Sequence, residues 1–161
     1  MGDEAHADLE GTMSNPPLKT GHVALNVTDL SRSTEFYEKL FDFDVIARSD
    51  AERKFALLGK DGRVSVALWQ QAGGGFDTGL SGLHHLSFEV PTIDDVRRAE
   101  ETLKTLGVEF AYDGIVAHAE GAGSGGVFFT DPDGVRLEIY TPRGVDGDSA
   151  PVKDAPTCGF F

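Results

Sequence analysis

An internal duplication restricts this chain more than any other feature. His22-Val23-Ala24-Leu25-Asn26-Val27 is answered 63 residues later by His85-Leu86-Ser87-Phe88-Glu89-Val90, so that Val27 matches Val90 and Leu30 matches Ile93. A supersecondary unit that repeats at a fixed offset has one apolar face that its own copy must cover. Each opening segment alternates apolar and polar residues, the period of a half-buried strand. In the first half a helix follows, with Asp29 as N-cap and Phe36, Tyr37 and Leu40 on one face. Three strands are predicted after it, over residues 44–48, 54–58 and 64–69. In the second half the helix starts near Thr92, carries Val96, Leu103 and Leu106, and stops at Gly107. Strands are predicted over residues 108–112, 126–130 and 135–141. The expected fold class is α+β, two β-α-β-β-β modules whose mixed sheets form a cup.

The flanks read differently. Residues 1–19 lack apolar periodicity, contain the Asn15-Pro16-Pro17 break, and are expected to form a flexible arm. Residues 20–142 hold the two modules (20–72 and 82–142), and 143–161 form an irregular tail rich in Gly, Asp and Pro. Its terminal Phe160 and Phe161 either dock on the body or cover a site. With 14 basic against 27 acidic residues and no basic stripe, the chain is not built to neutralise phosphates, which excludes nucleic acid as a partner. No apolar run approaches the roughly 20 residues of a membrane span. The acidic N-terminus has no secretory pattern. The lone Cys158 forms no intrachain disulfide and rules out a multi-cysteine zinc site. A cytoplasmic setting is expected.

Strand alternation also sorts the candidate site residues. Val23, Leu25 and Val27 share the core face of the first strand, and Leu86, Phe88 and Val90 that of its copy. In the last strand Val135, Leu137 and Ile139 oppose Arg136, Glu138 and Tyr140. His22, His85 and Glu138 therefore lie on non-core faces, which a curved pair of sheets would bring together. Two imidazoles and a carboxylate form the facial set that holds a divalent metal and leaves positions open for ligands. His84 falls on the core side and is read as structural, and His6 sits in the arm. Asp131-Pro132-Asp133-Gly134 is a hairpin turn whose acids are not ligands. The glycine-rich stretch 121–126 precedes a strand, so it is no phosphate cradle but a candidate mobile loop beside the cup.

Four segments carry a resemblance: Gly21-His22-Val23-Ala24-Leu25, Asp29-Leu30-Ser31 leading to Phe36-Tyr37, Leu83-His84-His85-Leu86-Ser87-Phe88, and Phe129-Thr130-Asp131-Pro132-Asp133-Gly134 running to Glu138. On these the chain, over residues 21–142, resembles the vicinal oxygen chelate superfamily, which includes glyoxalase I, type I extradiol dioxygenases, fosfomycin thiol transferases and bleomycin-sequestering proteins. The resemblance implies metal ligands at His22, His85 and Glu138. Glyoxalase I has a further Glu where this chain has Ala67, which argues against that chemistry, and bleomycin-binding members lack the metal residues.

Ring cleavage is favoured by the His84-His85 doublet, by the His118-to-Glu138 segment, which resembles the extradiol pattern, and by Ala24, where fosfomycin enzymes have Thr. Phe128 stands where that pattern has tyrosine. The spacer after His118 is longer, and no histidine stands near Gln70 or Gln71, where two-domain catechol dioxygenases have one. The resulting expectation is an Fe(II)-dependent extradiol dioxygenase, with Mn(II) or Zn(II) as other metals the ligand set accepts. It would join a catechol, such as the amino-acid catechol L-DOPA, to O2. His118 is the first acid/base candidate, with Tyr140 and Tyr112 behind it. Arg136 would face the substrate carboxylate, and Phe128 and Trp69 are counted with it as substrate contacts. A thiol transferase, an isomerase or a small-molecule-binding protein are the alternatives. A homodimer is expected, with each cup built within one chain or across two.

Overall fold

Both helices begin where a side chain replaces the missing backbone acceptor. Asp29 accepts from the N–H of Arg32 at 3.0 Å and opens α1 (Leu30–Phe41). Thr92 and Asp95 form a reciprocal capping box that opens α2 (Ile93–Thr105). Helix α1 stops at Asp42 in the left-handed region (φ 51°), and Gly107 (φ 70°) turns the chain out of α2. These features lie within the residues that the computed structural model describes, 17–145 and 150–159. Residues 1–16 of the expected arm, His6 among them, and the terminal Phe160 and Phe161 lie outside the described residues.

Module 1 contains β1 (Val23–Val27), α1, β2 (Asp44–Ser49), β3 (Phe55–Lys60) and β4 (Arg63–Gln70), with sheet order β1-β4-β3-β2. Module 2 contains β5 (Leu86–Glu89), α2, β6 (Val116–Ala117), β7 (Gly125–Thr130) and β8 (Arg136–Thr141), ordered β5-β8-β7-β6. In each sheet the opening strand runs parallel to the last strand of its module, and the other pairs are antiparallel. Register makes the duplication exact in space: Ala24 pairs with Ala67 as Ser87 pairs with Glu138, so Ala67 is the module 1 counterpart of Glu138. Among the described residues, no helix is long and apolar enough to cross a membrane.

Two segments of module 2 depart from expectation in kind. Residues 108–112 form no strand. They contribute one bridge, Phe110 to Phe129, and the Ala111 N–H bonded to the Phe128 carbonyl at 2.8 Å. The chain then turns through Gly114 (φ 73°), and the edge of the sheet is the short β6 instead. The glycine-rich stretch ends inside β7. A side chain at Gly126 would begin 2.1 Å from the Ile139 carbonyl of β8, so strand contact, not loop freedom, requires glycine there.

The apolar faces of both sheets and both helices share one core. Phe41 of α1 sits 4.3 Å from Phe88 of β5 and 5.1 Å from Phe43, ring centre to ring centre, bringing both modules into one aromatic cluster. The hairpin acids then clamp the modules. Asp131 accepts from the buried Tyr37 hydroxyl at 3.0 Å and from the N–H groups of Asp133 and Val135, both at 2.9 Å. Asp133 accepts from the Thr28 N–H at 2.9 Å, from the Thr28 hydroxyl, and from Arg32 at 2.7 Å.

Asp133→Ala is expected to cost about 2 kcal/mol, since it strands the Thr28 amide and removes a charge-assisted bond. Arg32→Ala should cost under about 1 kcal/mol, because its side chain is half exposed. Urea denaturation of the two variants checks this ordering.

Candidate metal and proton-transfer site

The inner face of module 2 gathers the chemistry. Ser87 and Glu138 are register partners, Phe128 lies across β7 from Glu138, and His85 directly precedes β5. Glu138 is only 3% exposed although it faces away from the core. A carboxylate buried to that extent needs a partner, and His118 supplies one. His118 Nε2 donates to Oε1, and His85 Nε2 lies 3.8 Å from Oε2. His118 also meets Ser124 Oγ through Nδ1 at 3.0 Å, and its ring lies 5.2 Å from that of Tyr140.

The other expected site residues fall in several places. His22 is exposed at the start of β1. It lines a groove of about 620 Å³ with Lys60, Arg63, Leu86 and Phe88, and does not join His85 and Glu138. Among the described residues no three His, Cys, Asp or Glu side chains are grouped to hold a metal ion. The donor chemistry nevertheless suits a divalent ion: one chain brings a carboxylate and an imidazole together, and the His22 imidazole stands just before β1, an edge strand of the other sheet among the described residues.

Arg136 is half-buried beside His85, lines a cavity of about 210 Å³ with Thr78, Phe110 and Thr130, and makes no ion pair among the described residues. Trp69 lies tilted against Phe55, ring centres 5.1 Å apart, on the inner face of module 1. Phe128, expected as a substrate contact, has no exposed surface and lies edge-on to Tyr112 (5.4 Å) and His118 (6.2 Å), behind the histidine ring. His84 is a correction: it is exposed, not core-facing, and its Nδ1 lies 2.9 Å from that of His85.

The titratable groups respond to these surroundings. Desolvation lowers the His85 pKa, the Glu138 carboxylate opposes it, and the neighbouring His84, Arg136 and His118 lower it further. The Tyr140 hydroxyl donates to Glu89 at 2.7 Å, and that bond, with some burial, holds its pKa up. Burial raises the Cys158 thiol, and the Glu138 charge raises it further. Cys158 therefore belongs to this neighbourhood, as do Tyr112 and Ser124. Periodicity could not have found the thiol, because only a long excursion of the tail brings it back.

The sequence matches the model of the Glyoxalase/Bleomycin resistance protein/Dioxygenase superfamily over residues 19–139. It is 29% identical over 142 residues to the trivalent organoarsenical cleaving enzyme of Bacillus sp. (strain MD1), covering 88% of this chain and 83% of the relative. It is 29% identical over 132 residues to the metallothiol transferase FosB of Bacillus licheniformis, covering 80% and 78%. Against the catechol-2,3-dioxygenase of Bacillus subtilis (strain 168) it is 26% identical over 125 residues, 76% of this chain but only 41% of that enzyme. Among solved structures, a glyoxylase/bleomycin resistance protein/dioxygenase domain from Frankia sp. EAN1pec matches with a TM-score of 0.66 and 30% identity, covering 80% and 94% of the two chains. The fosfomycin resistance protein FosX of Listeria monocytogenes, complexed with Mn(II) and sulfate, shares the fold at a TM-score of 0.57 and 22% identity, covering 76% and 91%.

The lowered His85 pKa has a sign that can be checked. As pH falls through about 6.5, the unfolded chain takes up the proton before the folded one. The His85 contribution is thus full above that pH and is lost as pH falls through its lower folded value. Denaturation midpoints measured from pH 7 to 5 should fall less steeply in His85→Gln than in the wild type.

Proposed function

The chain belongs to the glyoxalase/bleomycin resistance protein/dioxygenase superfamily, and from that premise we propose that it is a metal-dependent extradiol dioxygenase acting on a catechol. The observation that carries this reading is the His118 imidazole seated on the buried Glu138 carboxylate beside His85. It puts a proton-bearing group next to the proposed ligands, where ring cleavage needs an acid. His22, His85 and Glu138 would hold the ion, with Fe(II) the metal this chemistry calls for and Mn(II) or Zn(II) chemically compatible with the donors. A bound Fe(II) supplies the electron transfer that lets an ortho-diol react with O2. Overall, one catechol and one O2 give one ring-opened acid semialdehyde that retains both oxygen atoms.

The remaining steps are positional and belong to this chain's own residues. A carboxylate oxygen only accepts, so His118 carries its proton on Nε2, and Ser124 can donate to Nδ1. That proton is available to the oxygen set free when the O–O bond breaks, and the same imidazole can later take one back. Tyr140, whose hydroxyl donates to Glu89, stands beside the His118 ring and is the second acid/base candidate. Arg136, with no ion pair among the described residues, suits an anionic substituent such as the carboxylate of L-DOPA.

His22 completes the site from a second copy in this reading. Among the described residues β1 and β5 are both edge strands, each hydrogen-bonded on one side only in its sheet. A two-fold axis that lays β1 of one copy along β5 of the other closes both edges and builds two equal sites. The likeness to a metallothiol transferase supports a second reading, thiol addition to a small electrophile at the same metal.

Loading the protein anaerobically with Fe(II), adding L-DOPA or a simple catechol and then admitting O2 tests the reaction. Stoichiometric O2 uptake with a yellow product, abolished in His85→Ala, is expected. Diol binding without O2 uptake would turn the assignment towards the transferase. Arg136→Glu should weaken L-DOPA turnover by about tenfold or more, the worth of one charge-assisted bond, and leave simple catechols little changed.

The shared-site geometry has its own measurement. His22→Ala and Glu138→Ala should each be inactive alone, whereas unfolding and refolding them together restores about one quarter of wild-type activity, because half of the random dimers regain one of two sites. No recovery on mixing would place all three ligands in one chain.

A further inference from the structure

The chain leaves β8 and returns to the site it has just built. Val145 is buried and its N–H donates to the Gly123 carbonyl at 3.0 Å. Farther on, a single 3-10 turn (Thr157–Gly159) carries Thr157 to a position with no exposed surface. Thr157 spends all of its hydrogen-bonding groups there. Its N–H donates to the His118 carbonyl at 2.8 Å, and its hydroxyl donates to the Ala117 carbonyl at 2.7 Å. Its own carbonyl accepts from the Tyr112 hydroxyl at 3.1 Å.

These bonds fall on the weakest part of the sheet. β6 has two residues, Val116–Ala117, and among the described residues pairs only with β7. A two-residue strand with one neighbour has little to fix it. His118 follows it directly and is tied to β7 through its N–H and the Ser124 carbonyl at 3.0 Å. The tail supplies the opposite side, so the backbone at residues 117 and 118 is gripped from both directions. The side chain of His118 reaches Glu138 from that gripped backbone, with Phe128 behind its ring.

We propose that Thr157 is a positioning residue: by holding the carbonyls of Ala117 and His118, the C-terminal tail sets the His118 imidazole on Glu138 and forms a working part of the site. The inference builds on the proposed function in one respect, that Glu138 is a metal ligand whose orientation His118 maintains. Partners one step removed from a metal typically alter its affinity by 10- to 100-fold when lost.

The test separates the two claims by reading the metal-free protein first. Long-range nitrogen–proton correlation spectra of the histidine rings report whether His118 holds its Nε2 proton against Glu138. Thr157→Val should lose or broaden that signal, Thr157→Ser should keep it, and Tyr112→Phe, which removes one tail bond at a half-buried position, should weaken it. In titrations with Mn(II) or Zn(II), Thr157→Val should bind about tenfold more weakly than wild type, with Thr157→Ser restored. A folded Thr157→Val with an unchanged His118 signal overturns the proposal. If Thr157→Val does not fold, an unchanged signal in Tyr112→Phe overturns it. A wild type that binds neither metal would instead sink the metal-centre reading, and the ring spectra would still decide the role of Thr157.

Discussion

The site depends on a clamp made of buried carboxylates. Asp131 and Asp133 belong to module 2, but Tyr37, Thr28 and Arg32, which hold them, belong to module 1. Burying two carboxylates is costly unless every lone pair is answered. Here backbone amides, hydroxyls and a guanidinium answer them. Burial raises the pKa of Asp131, with the surrounding donors acting against that rise, and burial raises Tyr37 as well. Because the hairpin is the turn between β7 and β8, the clamp that sets the modules against each other also aims the strand that carries Glu138. An apolar interface alone would tolerate sliding. These directional bonds do not.

Much of this was legible in the sequence because it is periodic or local. The alternation along His22 to Val27 and its copy identifies the buried faces of β1 and β5, and alternation in the last strand puts Glu138 opposite Leu137 and Ile139. Asp29 and Thr92 mark the helix starts because a cap is a contact between near neighbours. What stayed hidden spans long separations. The turn acids read only as turn acids, since Thr28, which bonds Asp133, lies 105 residues away and Tyr37, which bonds Asp131, 94. Thr157 reaches Ala117 across 40 residues from a segment with no pattern of its own. The expected strand over residues 108–112 failed for a different reason: its apolar residues face the core without a neighbouring backbone to pair with beyond Phe129 and Phe128. Alternation puts His22, His85 and Glu138 on non-core faces, but within the one chain His22 lines a separate groove, because a strand's two faces are decided by its own residues and its neighbour across an open edge is not.

Membership of the superfamily leaves the reaction open, and the relatives named above show why: one cleaves organoarsenicals, one is a metallothiol transferase and one a catechol dioxygenase. A fold that supports several chemistries assigns none of them. The differences must reside in the few groups that stand around the donors. In this chain those are a histidine bonded to the carboxylate, a cation without an ion pair among the described residues, a tyrosine held by Glu89, and a tail that seals one side.

The register between the two halves has a consequence for their history. A duplicated unit starts with the same side chains at equivalent places, yet Glu138 now corresponds to Ala67 and Tyr140 to Trp69. One half has kept, or acquired, nearly all the reactive groups, while the other retains a single histidine and an aromatic wall of Phe55 and Trp69. In the proposed reading the copies have divided their labour. Under that reading the first half can change the shape and greasiness of its wall without disturbing His118, His85 or Glu138, so new substrates can be tried on one side of the site while the other side stands still.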